Sequence, residues 1–287
     1  MIGMGIMGRP MALNLCRAGY HVSIHSRTRG KADEVIAAGA QWFPSPAALA
    51  AKVDVLITIV TDSPDVEQVL FGENGAAAGL KPGTLVIDCS TIDPDAARNF
   101  ADRLAAQNVA FLDAPVTGGD AGAKAGTLTI MVGGDAAAFD RAKPVLESIG
   151  KKVVHLGPSG AGQTLKACNQ ILCAVNMIGI CEALQLGAKN GLDLRVALET
   201  LGSGAGGSWA WSNLGPKIVN RDFDPAFMIR LIQKDLRIVQ SIAGRSGVPL
   251  FGTALAEQLF RAAQQHEPTG TEGTQAMFRA YEDLVGR

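Results

Sequence analysis

Aromatic side chains make up only 5% of this chain, and no basic block interrupts a formal net charge of -1. A nucleic-acid surface needs a basic footprint, and a single-strand binder also needs aromatic platforms for base stacking. Neither is present, so nucleic acid is not an expected partner. The four histidines, His21, His25, His155 and His266, share no metal-ligand spacing, and no metal is expected. The five cysteines, Cys16, Cys89, Cys168, Cys173 and Cys181, are odd in number and lie mostly in apolar stretches. That pattern fits a reducing, cytoplasmic compartment best. The apolar runs read as interrupted before the length of a bilayer crossing, and no leader precedes the first glycines, so no membrane is expected.

What is present is length and alternation. At 287 residues the chain can bury a sizeable core and is expected to form two domains. Residues 1–157 alternate strand and helix. Val22–Ile24, Val53–Val60, Leu85–Ile87, Val109–Leu112, Leu128–Val132 and Val153–Leu156 are short apolar, β-branched runs that suit strands buried on both faces. Helical stretches fall between them at Pro10–Ala18, Lys31–Ala38, Asp65–Leu70, Pro94–Gln107 and Ala136–Ile149. This spacing predicts a doubly wound α/β sheet of the Rossmann type. After Gly157-Pro158 the strand signal fades. Residues 158–287 read as a helical domain, opening on a long apolar helix from Gly160 to Lys189 that stops at Asn190-Gly191. Further helices are expected at Asp193–Leu201, Ile229–Arg245, Phe251–Gln265 and from Thr274.

Gly3-Met4-Gly5-Ile6-Met7-Gly8 has the dinucleotide fingerprint and opens a helix. Gly3 serves the tight turn, Gly5 the approach of a pyrophosphate, and Gly8 close helix–sheet packing. Only Met1 and Ile2 precede Gly3, so the first strand is expected to be missing or stubby, and upstream residues would be expected to raise stability. After the second strand an NAD site usually carries an acid. This chain has Ser26-Arg27-Thr28-Arg29, which suits a 2′-phosphate and favours NADP(H), with NAD as the alternative. A solvated basic turn would look the same. Thr117-Gly118-Gly119, after a strand, reads equally as an anion nest for a carboxylate or as a flexible loop.

Lys166, a turn inside a glycine-opened helix, is the candidate acid/base group. Asn169 and Gln170 follow at three and four residues. A lysine in apolar surroundings is costly to charge, and such a lysine can have its pKa tuned toward the working pH, as a general acid needs. Alternatively it snorkels to the surface, and the amides merely cap or pack. Lys234-Asp235 on its own reads as a surface ion pair.

In combination these segments resemble the β-hydroxyacid dehydrogenase family, which includes 3-hydroxyisobutyrate dehydrogenase and 2-hydroxy-3-oxopropionate reductase. The likeness runs along essentially the whole chain: the glycine opening, Asp88-Cys-Ser90-Thr91, Asp113-Ala-Pro-Val-Thr117-Gly118-Gly119, Gly157-x-x-Gly160-x-Gly162-x-x-x-Lys166, Asp224-Pro225 and Lys234-Asp235. It implies a Rossmann-like domain, a helical C-terminal domain and an oligomer; the apolar helix from Gly160 to Lys189, which must bury more than one face, makes the expectation a homodimer or homotetramer. The resemblance further implies Lys166 as the catalytic lysine, Thr117, Gly118 and Gly119 on a small carboxylate substrate, and Thr91 and Lys234 near nicotinamide and substrate. Many members have Ser at the Thr117 position and Asn at the Gln170 position. The Asn169-Gln170 pair is similar to the tartronate semialdehyde reductase branch, while Gly207-Ser208-Trp209 is similar to some hydroxyisobutyrate enzymes. The expectation is therefore an NAD(P)-dependent dehydrogenase of a β-hydroxy acid or semialdehyde. The rivals are an imine reductase, which typically lacks the lysine, and a non-catalytic dinucleotide module, which would be expected to have a damaged lysine or substrate loop.

Overall fold

The computed structural model describes residues 1–286, in two compact units, Met1–Lys166 and Ala167 onward. In the first unit, three strands lie parallel and adjacent in register: β3 (Val55–Thr58), β4 (Leu85–Asp88) and β5 (Ala110–Asp113). A separate parallel pair, β1 (Ser23–Ile24) and β2 (Gln41–Trp42), stands beyond them. Ile2 bridges the two sheets alone, parallel to His25 on one side and Thr58 on the other. Its N–H donates to Ile57 O at 2.8 Å and its carbonyl accepts from Ile59 N at 3.0 Å, so the first strand is a stub.

The Rossmann-like frame then departs from a fully parallel sheet. β6 (Val116–Thr117) continues the line of β5 past Ala114-Pro115, where the proline has no N–H for a ladder. Both pair antiparallel with β7 (Leu128–Gly134), and β8 (Gly150–His155) joins the far side of β7 in parallel. The physical cause is the short return from Thr117 to Leu128. A parallel crossover needs a dozen or more residues, and this link is too short for one. Strand composition carries no such information.

Helices α1 (Gly8–Arg17), α2 (Asp33–Ala37), α3 (Pro46–Ala50), α4 (Ser63–Phe71), α5 (Pro94–Ala105), α6 (Gly119–Ala125) and α7 (Ala136–Glu147) fill the connections. Several begin on a polar cap. Asp62, Asp93 and Asp135 accept N–H groups of α4, α5 and α7, the first two with proline in the first turn. Leu85 and Ile87 of β4 enter one core cluster, with Met11, Leu15 and Leu146. Val86, between them, enters the other, with Leu56, Leu70 and Phe100. Alternate residues facing two cores make the run continuously apolar.

The second unit is helical: most of α8 (Ala161–Lys189), then α9 (Leu194–Gly202), α10 (Trp209–Val219), α11 (Ile229–Ser246), α12 (Phe251–Ala263) and α13 (Met277–Val285). α3, α6 and α10 are absent from the sequence expectation. The glycines of α6 and the Gly206-Gly207 and Pro216 around α10 read as breakers, yet Ser208 Oγ caps α10 by accepting Trp211 N at 3.0 Å. α8 also corrects the reading of apolar length. Among the described residues it is the one helix long and apolar enough to cross a bilayer, with a mean hydropathy of 1.7. Its Ala174, Met177, Cys181 and Leu184 instead enter the core of the second unit with Trp211, Leu236 and Phe260.

Candidate functional site

The glycine loop has three different reasons for its three glycines. A Cβ on Gly8 would sit 1.8 Å from Gly3 O, and one on Gly3, whose φ is +103°, would sit 2.1 Å from Ile59 O. Those two are required by the protein itself. A Cβ on Gly5 would meet nothing within 4 Å. The space over Gly5 is therefore left open by the fold, next to the start of α1, where no side chain caps the first turn. Backbone N–H groups and the helix dipole at such a terminus favour a phosphate. Met4 is buried beneath the loop, Met7 is partly buried, and Ile6 is 51% exposed on its rim. The residues present fit a dinucleotide pyrophosphate.

The basic turn follows β1. Ser26 is buried, whereas Arg27 and Thr28 are exposed. Arg29 stacks over Trp42 with its guanidinium 5.1 Å from the ring centre, which leaves Arg27 as the outward cation of the pair.

At the ends of the central strands lies a buried polar network. Asp88 Oδ1 accepts from Thr58 Oγ1 at 2.7 Å and from Ser90 Oγ at 2.6 Å. Its Oδ2 has no hydrogen-bond partner. Burial pushes the Asp88 carboxyl up to about 6, against the pull of those hydroxyl bonds. Its register partner Asp113 is also fully buried, and burial raises it too, while backbone N–H groups draw it down. Those donors belong to the start of α8: Gly160 N at 2.7 Å and Gln163 N at 2.9 Å. Gln163 Nε2 donates to Ser90 O at 2.8 Å, and Ile92 N donates to Gln163 Oε1 at 3.1 Å. Partly buried Thr91 lies between those two anchors.

Thr117 ends β6 opposite Thr129, and Gly118 and Gly119 turn the chain into α6 with φ of +130° and +63°. The segment is thus a strand-to-helix turn. Lys166 is buried, at 7% exposure, in the second turn of α8. Gln170, one turn on, is 2% exposed. Its Nε2 donates to Asp235 Oδ2 and its Oε1 accepts from Asn169 Nδ2 at 2.7 Å. The structure therefore separates the two amides. Gln170 is the buried one, and Asn169 is partly exposed and holds it from outside. Asp235 Oδ1 pairs with Lys234 Nζ at 2.6 Å.

Asp113, Gln163 and Asp88 carry no role in the sequence reading. The available signal was Gln163 at the third helical position, where a side chain reaches back to orphan N–H groups, and two acids at equivalent ends of neighbouring strands.

Residues 1–157 match the NAD binding domain of 6-phosphogluconate dehydrogenase, and residues 160–281 match the NAD-binding family of NADP-dependent 3-hydroxyisobutyrate dehydrogenase. The chain belongs to the β-hydroxyacid dehydrogenase family. Among its relatives, an NAD-dependent L-serine dehydrogenase of Pseudomonas aeruginosa is 42% identical over 91% of this chain and 90% of that one. A 2-hydroxy-3-oxopropionate reductase of Escherichia coli is 40% identical over 90% and 88%. The solved 3-hydroxyisobutyrate dehydrogenase of Mycobacterium tuberculosis, with L-serine, superposes with a TM-score of 0.89 at 32% identity, covering 98% of this chain and 97% of that one. As a β-hydroxyacid dehydrogenase family member, this chain is an NAD(P)-dependent oxidoreductase acting on CH–OH groups. Its cofactor is a nicotinamide dinucleotide, NADP or NAD.

Proposed function

We propose that the protein is a cytoplasmic, NADP(H)-preferring dehydrogenase of a small β-hydroxy acid or its semialdehyde, with Lys166 moving the proton. The observation that carries this reading is a lysine buried to 7% exposure in α8, one turn from a buried amide that is itself held at both ends. Burying an ammonium costs free energy, and a fold tolerates that where the group is used.

The residues assign themselves to tasks. The loop from Gly3 to Gly8 and the first turn of α1 hold the pyrophosphate. Ser26, Arg27 and Thr28 take the ribose end, and Thr91 takes the nicotinamide end. Lys234 carries over as a further cofactor-facing lysine on the family resemblance alone. The Thr117-Gly118-Gly119 turn holds the substrate carboxylate with a hydroxyl and successive N–H groups. The bound nicotinamide supplies hydride exchange with the carbonyl carbon. Lys166 gives a proton to the carbonyl oxygen in reduction and takes it back in oxidation. Gln170 fixes the direction of approach. The substrate is sought with a panel of semialdehydes and hydroxy acids, each offered with NADPH/NADP and NADH/NAD. Absence of turnover across the panel would remove the reading.

Cofactor preference rests on Arg27. Removing one charge-assisted hydrogen bond costs roughly 1.5–3 kcal/mol, or about 10- to 150-fold in affinity. Arg27→Ala is expected to weaken NADPH by that factor and NADH hardly at all, as read by fluorescence titration. Equal losses for both would assign Arg27 to a solvated turn.

A second copy of the chain is the proposed cover for the outer face of α8. Only 33% of its most apolar window is buried. Leu172 is 63% exposed, and Phe251 of α12, next to Gly252, which packs against Val175, is 84% exposed. Such a stripe is more apolar than a monomer surface sustains. Light scattering at micromolar concentration is expected to give a dimer or tetramer, and Leu172→Glu is expected to shift it toward monomer. A monomeric wild-type protein would contradict this.

A further inference from the structure

We propose that Asp113 and Gln163 are positioning residues for Lys166, joining the helix that carries the lysine to the strand ends and to the Thr91 segment. The inference rests on the reading of Lys166 as the proton-transfer group.

The start of α8 is held from a distance. Asp113 lies 47 residues upstream of Gly160, yet its two carboxylate oxygens take the N–H groups of Gly160 and Gln163, one each, at 2.7 and 2.9 Å. A two-oxygen, charge-assisted cap fixes direction as well as distance. An ordinary cap residue, adjacent in sequence, moves with its helix and fixes neither against the rest of the fold. Asp113 is the last residue of β5, so this cap fastens α8 to the sheet.

The fit around the carboxylate is close. A Cβ on Gly133 of β7 would stand 2.7 Å from Asp113 Oδ1 and 2.8 Å from Gly162 N. A Cβ on Gly162 would stand 2.8 Å from Asp113 Oδ2 and 2.3 Å from Met131 O. Two glycines therefore let the helix end lie directly on β5 and β7.

Gln163 adds a second, separate fastening. Its side chain donates to Ser90 O and accepts from Ile92 N, so it grips the backbone on both sides of Thr91. Ser90 is in turn tied to Asp88, and Val60 N donates to Ser90 Oγ at 2.9 Å. Lys166 follows Gln163 by three residues and so lies on the same face of α8. Rotation of α8 about its own axis would swing Lys166, and it is this rotation that Gln163 blocks. Sliding of α8 along its axis is what Asp113 blocks. A helix cap needs only the backbone bonds, so the side-chain grip on Ser90 and Ile92 is the part that a purely structural role leaves unexplained.

The test is a double-mutant cycle on the full chain with NADPH and the substrate found in the panel. Asp113→Asn keeps the shape and removes the charge and one acceptor. Alone it is expected to lower kcat by about 10- to 100-fold, the cost of misplacing a reacting group by about 1 Å, with the NADPH dissociation constant within about twofold. In a Lys166→Ala background the same change is expected to lower kcat by less than about twofold, because the group it positions is gone. Gln163→Met, which removes the grip on Ser90 and Ile92 and leaves the Asp113 cap, is expected to show the same non-additivity. It carries the cycle if Asp113→Asn does not fold by circular dichroism. Full, additive losses in the Lys166→Ala background would overturn the inference and make both residues structural. Unchanged kcat in Asp113→Asn and Gln163→Met, with Lys166→Ala impaired, would also overturn it. Unchanged kcat in Lys166→Ala alone would instead remove the role of the lysine.

Discussion

Lys166→Ala is expected to lower kcat by about 10²- to 10⁴-fold, the usual worth of a positioned acid–base group. NADPH affinity is expected to stay within a few fold, because the lysine lies on α8 and the dinucleotide loop lies at α1. Lys166→Arg is not expected to rescue. A guanidinium stays protonated and cannot return a proton, and its planar fork does not fit the space of a buried ammonium. Gln170→Ala is expected to cost less, because it removes an orienting amide and leaves Asp235 without that donor. Asn169→Ala is expected to cost least, since its amide reaches only Gln170 and Cys173. Steady-state kinetics on folded variants decides between two roles. A rise in KM with kcat intact would mean that Lys166 binds the substrate and does not move the proton.

Gly8→Ala and Gly5→Ala are expected to fail in opposite ways. At Gly8 the new methyl would lie 1.8 Å from Gly3 O and 2.9 Å from Ile59 Cγ2. The clash is with backbone, so the loop or α1 must move. Overpacking of this kind costs about 1–3 kcal/mol, which lowers melting of a unit this size by about 3–10 °C. At Gly5 the methyl meets no protein atom within 4 Å. Gly5→Ala is expected to melt at, or up to about 4 °C above, the wild-type temperature without cofactor, since replacing glycine at a compatible backbone position stabilises by about 0.4–1 kcal/mol. Its NADPH affinity is expected to fall at least about tenfold, because the methyl occupies the open space a phosphate would need. Calorimetry with and without NADPH separates the two effects. A Gly5→Ala protein that binds NADPH normally would show that the space serves nothing.

The fold was legible where packing dictates composition. β3, β4 and β5 are buried on both faces along most of their length, so their runs are apolar up to Thr58, Asp88 and Asp113 at their ends, and the sequence reading of those strands agrees with the structure to within a few residues. Direction was not legible. Leu128–Val132 looks like any central strand, and only the short link behind it makes β7 antiparallel. α6 was hidden because Gly119-Asp-Ala-Gly122 resembles a loop, while neighbours supply the order that propensity lacks. In the site, Lys166 was legible because a lysine in an apolar helix is anomalous in itself. Gln170 stood out less, since its burial depends on Asp235, 65 residues away. Asp113 was hidden for the same reason. Its partners are N–H groups, which every residue but proline carries and no sequence advertises.

The apolar length of α8 has a consequence on the ribosome. When α8 leaves the exit tunnel, the residues that cover its inner face, from Trp211 to Phe260, are not yet all made. At roughly 5–20 residues per second, translation from the end of α8 to the end of α12 takes on the order of several seconds. Throughout that interval the nascent chain presents a helix that satisfies the length and hydropathy of a membrane span. Lys166, Asn169 and Gln170, clustered near its start, raise the cost of burying that end in lipid at the very time no protein core is available to it. The polar groups at the start of this helix also mark it as a segment to be folded.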